Sequence, residues 1–566
     1  MTTTPPLLLQ HERVDDLPLL WGVLTQLRLP ELLDRHLGQH HLHQGLSNGH
    51  LAAVWIAHIL SEANHCKAPV RDWARAHQHT LQTLLGQPLR DVDFSDDRLA
   101  IVLRRLHEAP WHQLEADLWQ ASCEVYALPC EAIRLDSTTS YGYHDIDDDG
   151  LMQFGHSKDH RPDLPQLKLM AAAAQPSSHV IACDIVPGNT ADDVLYLPLI
   201  DRLRRQLRQS GLLYLGDSKM AALHIRADIH CHHDYYLTVL PRTGDNAALI
   251  ETWIDDIVAG KHALQSFARL DKHGQSVLYA RGAEFERRCQ TQVDGKPLVW
   301  TERVQLICTE AWRQHQEQQL QRRLQSATEQ LQRLTPAPGR GRRQQRDEES
   351  LQQAVAAVLQ EHDVVGLLQV QWRGHYYRTG TGAVQWRYGI TSVDRVEEAI
   401  AAAKARCGWR VQVTNVPLRR ASLEASMLLY NGGWSMERSF HVVKDRPLGI
   451  QPLYVREEDQ IDGLTKLLMI ALRVLTWLEL RVRNALAEEE ETLTGLYEGQ
   501  PRRATSRPTA VRLLRAVSRL QVTLTQVQWR EGSCWSLSKV PPLLERILEL
   551  LQLPLTLYTA LANDTG

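Results

Sequence analysis

The chain lacks paired cysteines: its nine cysteines are odd in number, scattered, and never in a CxxC spacing. Such a set builds neither a disulfide framework nor a zinc ribbon, so reduced thiols are expected. Long apolar runs are missing too, since the most apolar helical stretch, Leu467 to Leu480, is interrupted by Arg473. A membrane span needs about 20 consecutive apolar residues, so none is expected. No amino-terminal segment has the basic-then-apolar form of a signal peptide, which leads to the expectation of a cytoplasmic protein. An excess of positive charge is also absent. With a formal net charge of −4, any grip on a polyanion must come from local basic patches.

What is present is an ordinary globular composition, 43% hydrophobic and 23% charged, over 566 residues. That length exceeds what one core accommodates, and two to four domains are expected. The first 125 residues or so read as helical. Apolar residues recur at three- and four-residue spacing over 17–37, 50–61 and 98–106, and Ser95 ahead of Asp96 and Asp97 reads as an N-cap. A small helical DNA-binding domain and a scaffold fit that periodicity equally. From Ala132 the texture changes to short apolar runs between turns. AIRLDST, KLMAAAA, HVIACDIV, GLLYLGDS and YYLTVL read as strands, with a helix from Asp192 to Leu207, which suggests a mixed sheet with helices against it.

Between 240 and 410 the strand-like pieces SVLYARG, RVQLICT, LLQVQWRG and AVQWRYGITSV flank two helical stripes. Leu320, Leu324, Ala327, Leu331 and Leu334 face Leu351, Ala354, Val355, Val358 and Leu359 across the turn PAPGRGRRQQR. The expectation is a helical hairpin carried by a β-rich insertion. Its basic tip, with Arg340, Arg342, Arg343 and Arg346, suits either DNA phosphates or plain solvent.

Three carboxylates then stand out. Asp136 and Asp217 are read as closing buried strands, where aspartate is a poor sheet former and a costly charge. Glu437 lies in YNGGWSMERSFHVVK, read as one helix on which Tyr430, Glu437 and Lys444 share a stripe beside an apolar stripe of Met436, Phe440 and Val443. The three lie 81 and 220 positions apart in turn, so only the fold can assemble them. Three such carboxylates suit two hard divalent cations that activate a nucleophile for phosphodiester displacement; a solvated Glu437 is the bland alternative.

The motifs IRLDSTTSYGY, FGHSKDHRPDLPQLKL, DIVPGNTADD, LYLGDSKM and YNGGWSMERSFHVVK, in this order, resemble the DDE transposases of bacterial insertion sequences. The likeness is to the insertion-sequence-four-like superfamily, which has a β-rich insertion before its glutamate, and it runs from about Phe94 to about Gly463. It implies an α/β fold: an RNase H-like mixed-sheet catalytic core interrupted by a β-rich plus helical-hairpin insertion, with helical N-terminal and C-terminal regions. The implied divisions are a helical DNA-binding domain over 1–126, the first part of the core over 127–240, the insertion over 241–408, the second part of the core over 409–485, and a helical region over 486–566.

By the same resemblance, Asp136, Asp217 and Glu437 are the catalytic and metal-binding residues, with Mg²⁺ as cofactor and Mn²⁺ as a substitute. In the family signature Y-x2-R-x3-E-x6-K, Tyr430 and Lys444 match the tyrosine and lysine near the DNA terminus, while Gly433 stands at the arginine position. Lys158, His160 and Arg161 are DNA-contact candidates shortly after the first catalytic strand, with a turn set by Pro162 as the alternative, and Arg342 and Arg343 are candidates at the hairpin tip. The implied activity is cleavage at the terminal inverted repeats of an insertion sequence and strand transfer into target DNA. The implied assembly is a homodimer on double-stranded DNA, nucleoid-associated when bound. A DNA-binding relative that does not cut, and a metal-dependent nuclease without strand transfer, are the alternatives.

Other metal motifs are set aside. DIDDDG (145–150) opens like a calcium loop, but its twelfth position is His156, and a polar turn is expected. HCHH (230–233) is too tightly spaced for a four-coordinate site, and HLGQHHLHQG (36–45) has no partner cluster.

Overall fold

A computed structural model describes residues 8–126, 128–271, 273–293, 295–336, 344–378, 382–529 and 532–562. The chain divides into two compact units, Met1–Tyr235 with Asn431–Gly566, and Tyr236–Tyr430.

The first unit begins with strand β1 (Leu8–Arg13) and helices α1 (Leu17–Gln26), α2 (Leu29–Leu37), α3 (Asn48–Glu62), α4 (Val70–Ala76), α5 (Gln78–Leu85), α6 (Asp96–Glu108) and α7 (Trp111–Tyr126). Ser95 caps α6 as expected, its hydroxyl accepting from the Arg98 N–H. The sheet follows: β2 (Cys130–Tyr141), β3 (Gln166–Pro176), β4 (Val180–Pro187), helix α8 (Tyr196–Leu207), β5 (Leu213–Gly216) and helix α9 (Leu223–Cys231). Its order is β4-β3-β2-β5, with β2 antiparallel to β3, β3 antiparallel to β4, and β2 parallel to β5. In chain order that is 3-2-1-4 with one parallel pair, the start of an RNase H-like sheet. β3 is buried over nearly its whole length, which explains its apolar run LMAAAA, while Lys168 before it is paired with Asp192.

The second unit holds β6 (Tyr235–Val239), α10 (Asp245–Val258), β7 (Gln265–Leu270), β8 (Ser276–Val293), β9 (Lys296–Thr309), α11 (Glu310–Leu334), α12 (Glu348–Glu361), β10 (Leu368–Arg378), β11 (Val384–Arg395), α13 (Glu397–Ala405), β12 (Trp409–Thr414) and α14 (Leu423–Asn431). Strands β6, β12, β9, β8 and β7 pair antiparallel in that order. The expected helical hairpin is α11 and α12. Leu320, Leu324, Ala327 and Leu331 pack with Leu351, Val355 and Val358, and the β10–β11 ribbon lays Val370, Trp372 and Tyr388 against them. Arg340, Arg342 and Arg343 of the tip lie outside the described residues.

The chain then returns to the first unit with α15 (Trp434–Lys444), α16 (Glu458–Glu488), α17 (Ala510–Ser518), β13 (Thr523–Trp529), β14 (Gly532–Leu537), α18 (Pro542–Leu551) and α19 (Thr556–Thr559). Helix α16 is buried nearly all round over its first six turns and packs against α3, α6, β4, α15, α17 and α18. Arg473, which interrupts its apolar run, is 1% exposed and ion-paired to the fully buried Glu115 of α7. Glu115 also takes Arg202 of α8 at 3.0 Å, so the core carries a charge triad rather than an orphan cation.

Three sequence expectations need correction. Asp136 does not close its strand; β2 continues five residues beyond it to Tyr141. The region 486–566 is not wholly helical, because β13 and β14 form a hairpin that β1 extends to three antiparallel strands. The alternating TLTQVQW of β13 is a strand pattern. Finally, YNGGWSMERSFHVVK is two helices, not one. α14 ends at Asn431 and α15 starts at Trp434, broken at Gly432 and Gly433, which favour helix by about 1 kcal/mol less than alanine each. No helix among the described residues is long and apolar enough to cross a membrane.

Candidate active site

Strand register brings the two aspartates level. In the parallel β2–β5 pair, Ile133 stands beside Tyr214 and Arg134 beside Leu215. Continued two residues along both strands, the same register would set Asp217, the first residue past β5, level with Asp136. Adjacent strands run about 4.8 Å apart, so that register would put the two carboxylates side by side. Helix α15 packs against β2 and α16, and Met436, Phe440 and Val443 are all buried as the apolar stripe predicts. That leaves Glu437 on its exposed face.

The electrostatics tie the three together. Asp136 is partly exposed, and burial pushes its carboxyl from 3.8 up to about 6. The Lys158 ammonium and the Ser137 N–H pull it back, while the negative charges of Asp217 and Glu437 add to the rise. Both therefore act on Asp136, and the site is short of positive charge. Asp217 accepts from the Tyr196 hydroxyl at 2.8 Å and from the Lys219 N–H at 2.8 Å. Burial and then Asp217 hold the Tyr196 hydroxyl well above its ordinary pKa, so it stays a donor.

Carboxylate oxygens are the donors that hard divalent cations take, and a site this rich in negative charge suits such an ion. As placed, the three do not close into a cage. Among the described residues no group of three or more His, Cys, Asp and Glu side chains is gathered tightly enough to hold a metal. Like charges do not converge unaided, and exposed Glu437, with three side-chain torsions, is the member with most freedom to move.

Of the basic candidates, two turn inward. Lys158 donates to the Ser137 carbonyl at 2.6 Å and the Ser137 hydroxyl at 2.7 Å, and lies 4.0 Å from Asp136 and 3.8 Å from Asp192. Lys444 donates to Asp159 at 2.6 Å, and Asp159 also accepts from Gln451 at 2.7 Å. His160 is exposed, with a left-handed φ of 57°. Arg161 is held by Asp163 through two bonds of 2.9 and 2.8 Å and lies over the Tyr141 ring. Tyr430, the penultimate residue of α14, lies in the second unit and on a different helix from Glu437 and Lys444, so it does not share a stripe with them.

Sequence reading missed Tyr196, Asp159, Lys168 and Asp192. Lys168 donates to Asp192 at 2.8 Å, and Asp192 accepts from the Ser137 hydroxyl at 3.2 Å. Burial raises the Asp192 carboxyl, but the Lys168 hydrogen bond and the charges of Lys158 and Lys168 outweigh it, leaving its pKa below the ordinary value. Asp192 thus anchors the lysine that faces Asp136. Its only sequence signal was its place in DIVPGNTADD.

The family described as transposase DDE domain matches residues 131–474. No curated protein matches. A cryo-EM structure of a piggyBac transposase synaptic complex with hairpin DNA aligns over 96% of this chain and 88% of that chain, at 9% identity and a TM-score of 0.35, too weak a likeness to set the fold.

Proposed function

This chain belongs to the transposase DDE domain family, and from that premise we propose that it cuts the ends of a DNA element and joins them to target DNA. The observation that carries the reading is the β2–β5 register, which levels Asp217 with Asp136 while Glu437 acts on Asp136 from α15. Asp136, Asp217 and Glu437 would hold Mg²⁺ or Mn²⁺, and such ions supply an activated nucleophile and a stabilised leaving oxygen.

The chain's own residues have separate tasks. Tyr196 orients the Asp217 carboxylate. Lys158, steadied by Ser137 and Asp192, moderates the charge on Asp136. Lys444, held by Asp159 near β2, is placed to exchange that carboxylate for a DNA phosphate. The helices over 1–126 are assigned to end binding, and a homodimer on DNA would bring two ends together.

The experiment is a nicking assay on labelled terminal DNA with Mg²⁺. Asp136→Ala, Asp217→Ala and Glu437→Ala should each abolish cutting and leave duplex binding in place, because phosphate contacts lie elsewhere. Near-normal cutting by any of the three rejects that residue's role. A second reading, a relative that binds without cutting, is favoured by Gly433 at the signature arginine position, and it predicts binding with no nicking by the unaltered chain.

A further inference from the structure

The back of α15 faces a cavity of about 470 Å³ in the first unit, bounded by α15, α16, the β3–β4 turn and the segment before α17. Its charged lining is Arg438, Glu479, Arg483 and Arg507. Glu479 is shared: one oxygen takes Arg438 and, at 2.7 Å, Arg483, while the other accepts the Ala510 N–H at 3.1 Å. With exposed Arg507 also lining the cavity, three guanidiniums share one lining carboxylate, which leaves two positive charges uncompensated in a concave, partly desolvated place. Burial, together with the charges of Arg438 and Arg507, lowers the pKa of Arg483, so the three arginines sense one another.

The surface beside the cavity continues the pattern. From Gly499 to Leu520 the chain carries Arg502, Arg503, Arg507, Arg512, Arg515 and Arg519 and no acidic residue. All six are exposed, and among the described residues only Arg519 has a carboxylate partner, Glu498 at 3.5 Å. A chain of net charge −4 concentrates a stripe of fixed cations here, and a stripe is the electrostatic footprint of a backbone polyanion rather than of an isolated ion.

We propose that the Arg438, Arg483 and Arg507 cavity receives a DNA backbone phosphate, with the arginine-rich segment 502–519 tracking the same strand. The proposal rests on the transposase reading and extends it by naming a contact surface outside the carboxylate site. Planar guanidinium forks grip phosphate oxygens in pairs, which lysine does not, and Glu479 keeps two of the forks ordered before the phosphate arrives. Because Arg438 follows Glu437 directly on α15, DNA seated in the cavity would also steady the helix that carries that glutamate.

The test is duplex binding without divalent cation, using the whole chain and a duplex of arbitrary sequence, read by fluorescence anisotropy over a range of salt. Arg507→Ala alters an exposed side chain and should leave the fold intact. Arg483→Gln probes the half-buried fork. Each should weaken binding several-fold and lower the slope of log K against log salt by about 0.9, the value for one phosphate contact. Unchanged affinity and slope in Arg507→Ala, with its melting temperature retained, overturns the proposal. Pyrophosphate is the second probe: if it raises the melting temperature of the unaltered chain but not of Arg507→Ala, while DNA binding is equal in both, the cavity is a small-anion site and the DNA assignment fails. If the unaltered chain binds no duplex at all, the transposase reading fails with it, a result distinct from variants that bind as well as the parent.

Discussion

Replacing Asp136 by asparagine should make the protein more stable and inactive at once. The substitution keeps size and shape but removes an ionised group that burial and two like charges disfavour. A carboxyl raised from 3.8 to about 6 corresponds to about 3 kcal/mol of folding stability lost when it ionises, at 1.36 kcal/mol per unit. The side chain is 30% exposed, so solvent screening reduces this to about 1–3 kcal/mol. The sign follows from proton counts. Between pH 3.8 and about 6 the unfolded chain has released this proton while the folded chain retains it, so stability falls as pH rises. Below that window the penalty vanishes, and above it the penalty is complete. Asp136→Asn should therefore melt roughly 1–4 °C higher than the parent at pH 7 without divalent cation, and at the same temperature as the parent near pH 4. Adding Mg²⁺ should narrow the gap at pH 7 by stabilising the parent. The assay is differential scanning fluorimetry across pH, with nicking measured in parallel. A variant that melts at or below the parent at pH 7, or whose advantage is the same at both pH values, refutes the electrostatic account of the site.

Arg473→Met leaves Glu115 buried with one of its two cations gone, which should cost about 3–5 kcal/mol in urea unfolding. Adding Glu115→Gln should recover much of that, and equal losses for single and double variants would show that packing rather than charge is at stake. Gly433→Arg should fold, since Gly433 has helical angles of φ −58° and ψ −25°, and should bind duplex as tightly as the parent or tighter; clear loss at fixed salt would mean that glycine is needed for close approach. Lys158→Met removes the cation 4.0 Å from Asp136, so its carboxyl should titrate higher still and the pH midpoint of nicking should move up. An unmoved midpoint with reduced rate would make Lys158 a DNA contact instead.

The parts of this fold that could be read in advance are those set by short-range periodicity. α6 with its Ser95 cap and the α11–α12 hairpin announce themselves within a few turns, because side-chain spacing decides which face is apolar, and the fully buried β3 announces itself by a continuous apolar run. Motif resemblance supplied Asp136, Asp217 and Glu437 as candidates, yet gathering them depends on the parallel β2–β5 pairing and on the packing of α15 against β2, contacts between residues far apart in the chain that no local pattern encodes. The partners of the site were hidden for the same reason. Lys158 with Ser137, Lys168 with Asp192, and Lys444 with Asp159 are pairings between separate segments, and a lysine in sequence looks the same whether it meets a phosphate or a carboxylate.

The broken helix teaches a different lesson. Seven-residue spacing placed Tyr430, Glu437 and Lys444 on one stripe, but a stripe exists only while the helix is continuous, and two successive glycines remove about 2 kcal/mol of helix propensity where continuity was assumed. On α15 itself, Met436, Phe440 and Val443 are buried and Glu437 is exposed. An arginine at position 433 would raise the helix propensity of this break. With glycine there, α15 is oriented by its packing on β2 and α16 and by the Arg438 to Glu479 pair. That pair lines the basic cavity, so the residue that positions the helix carrying Glu437 is also one that a bound phosphate would engage.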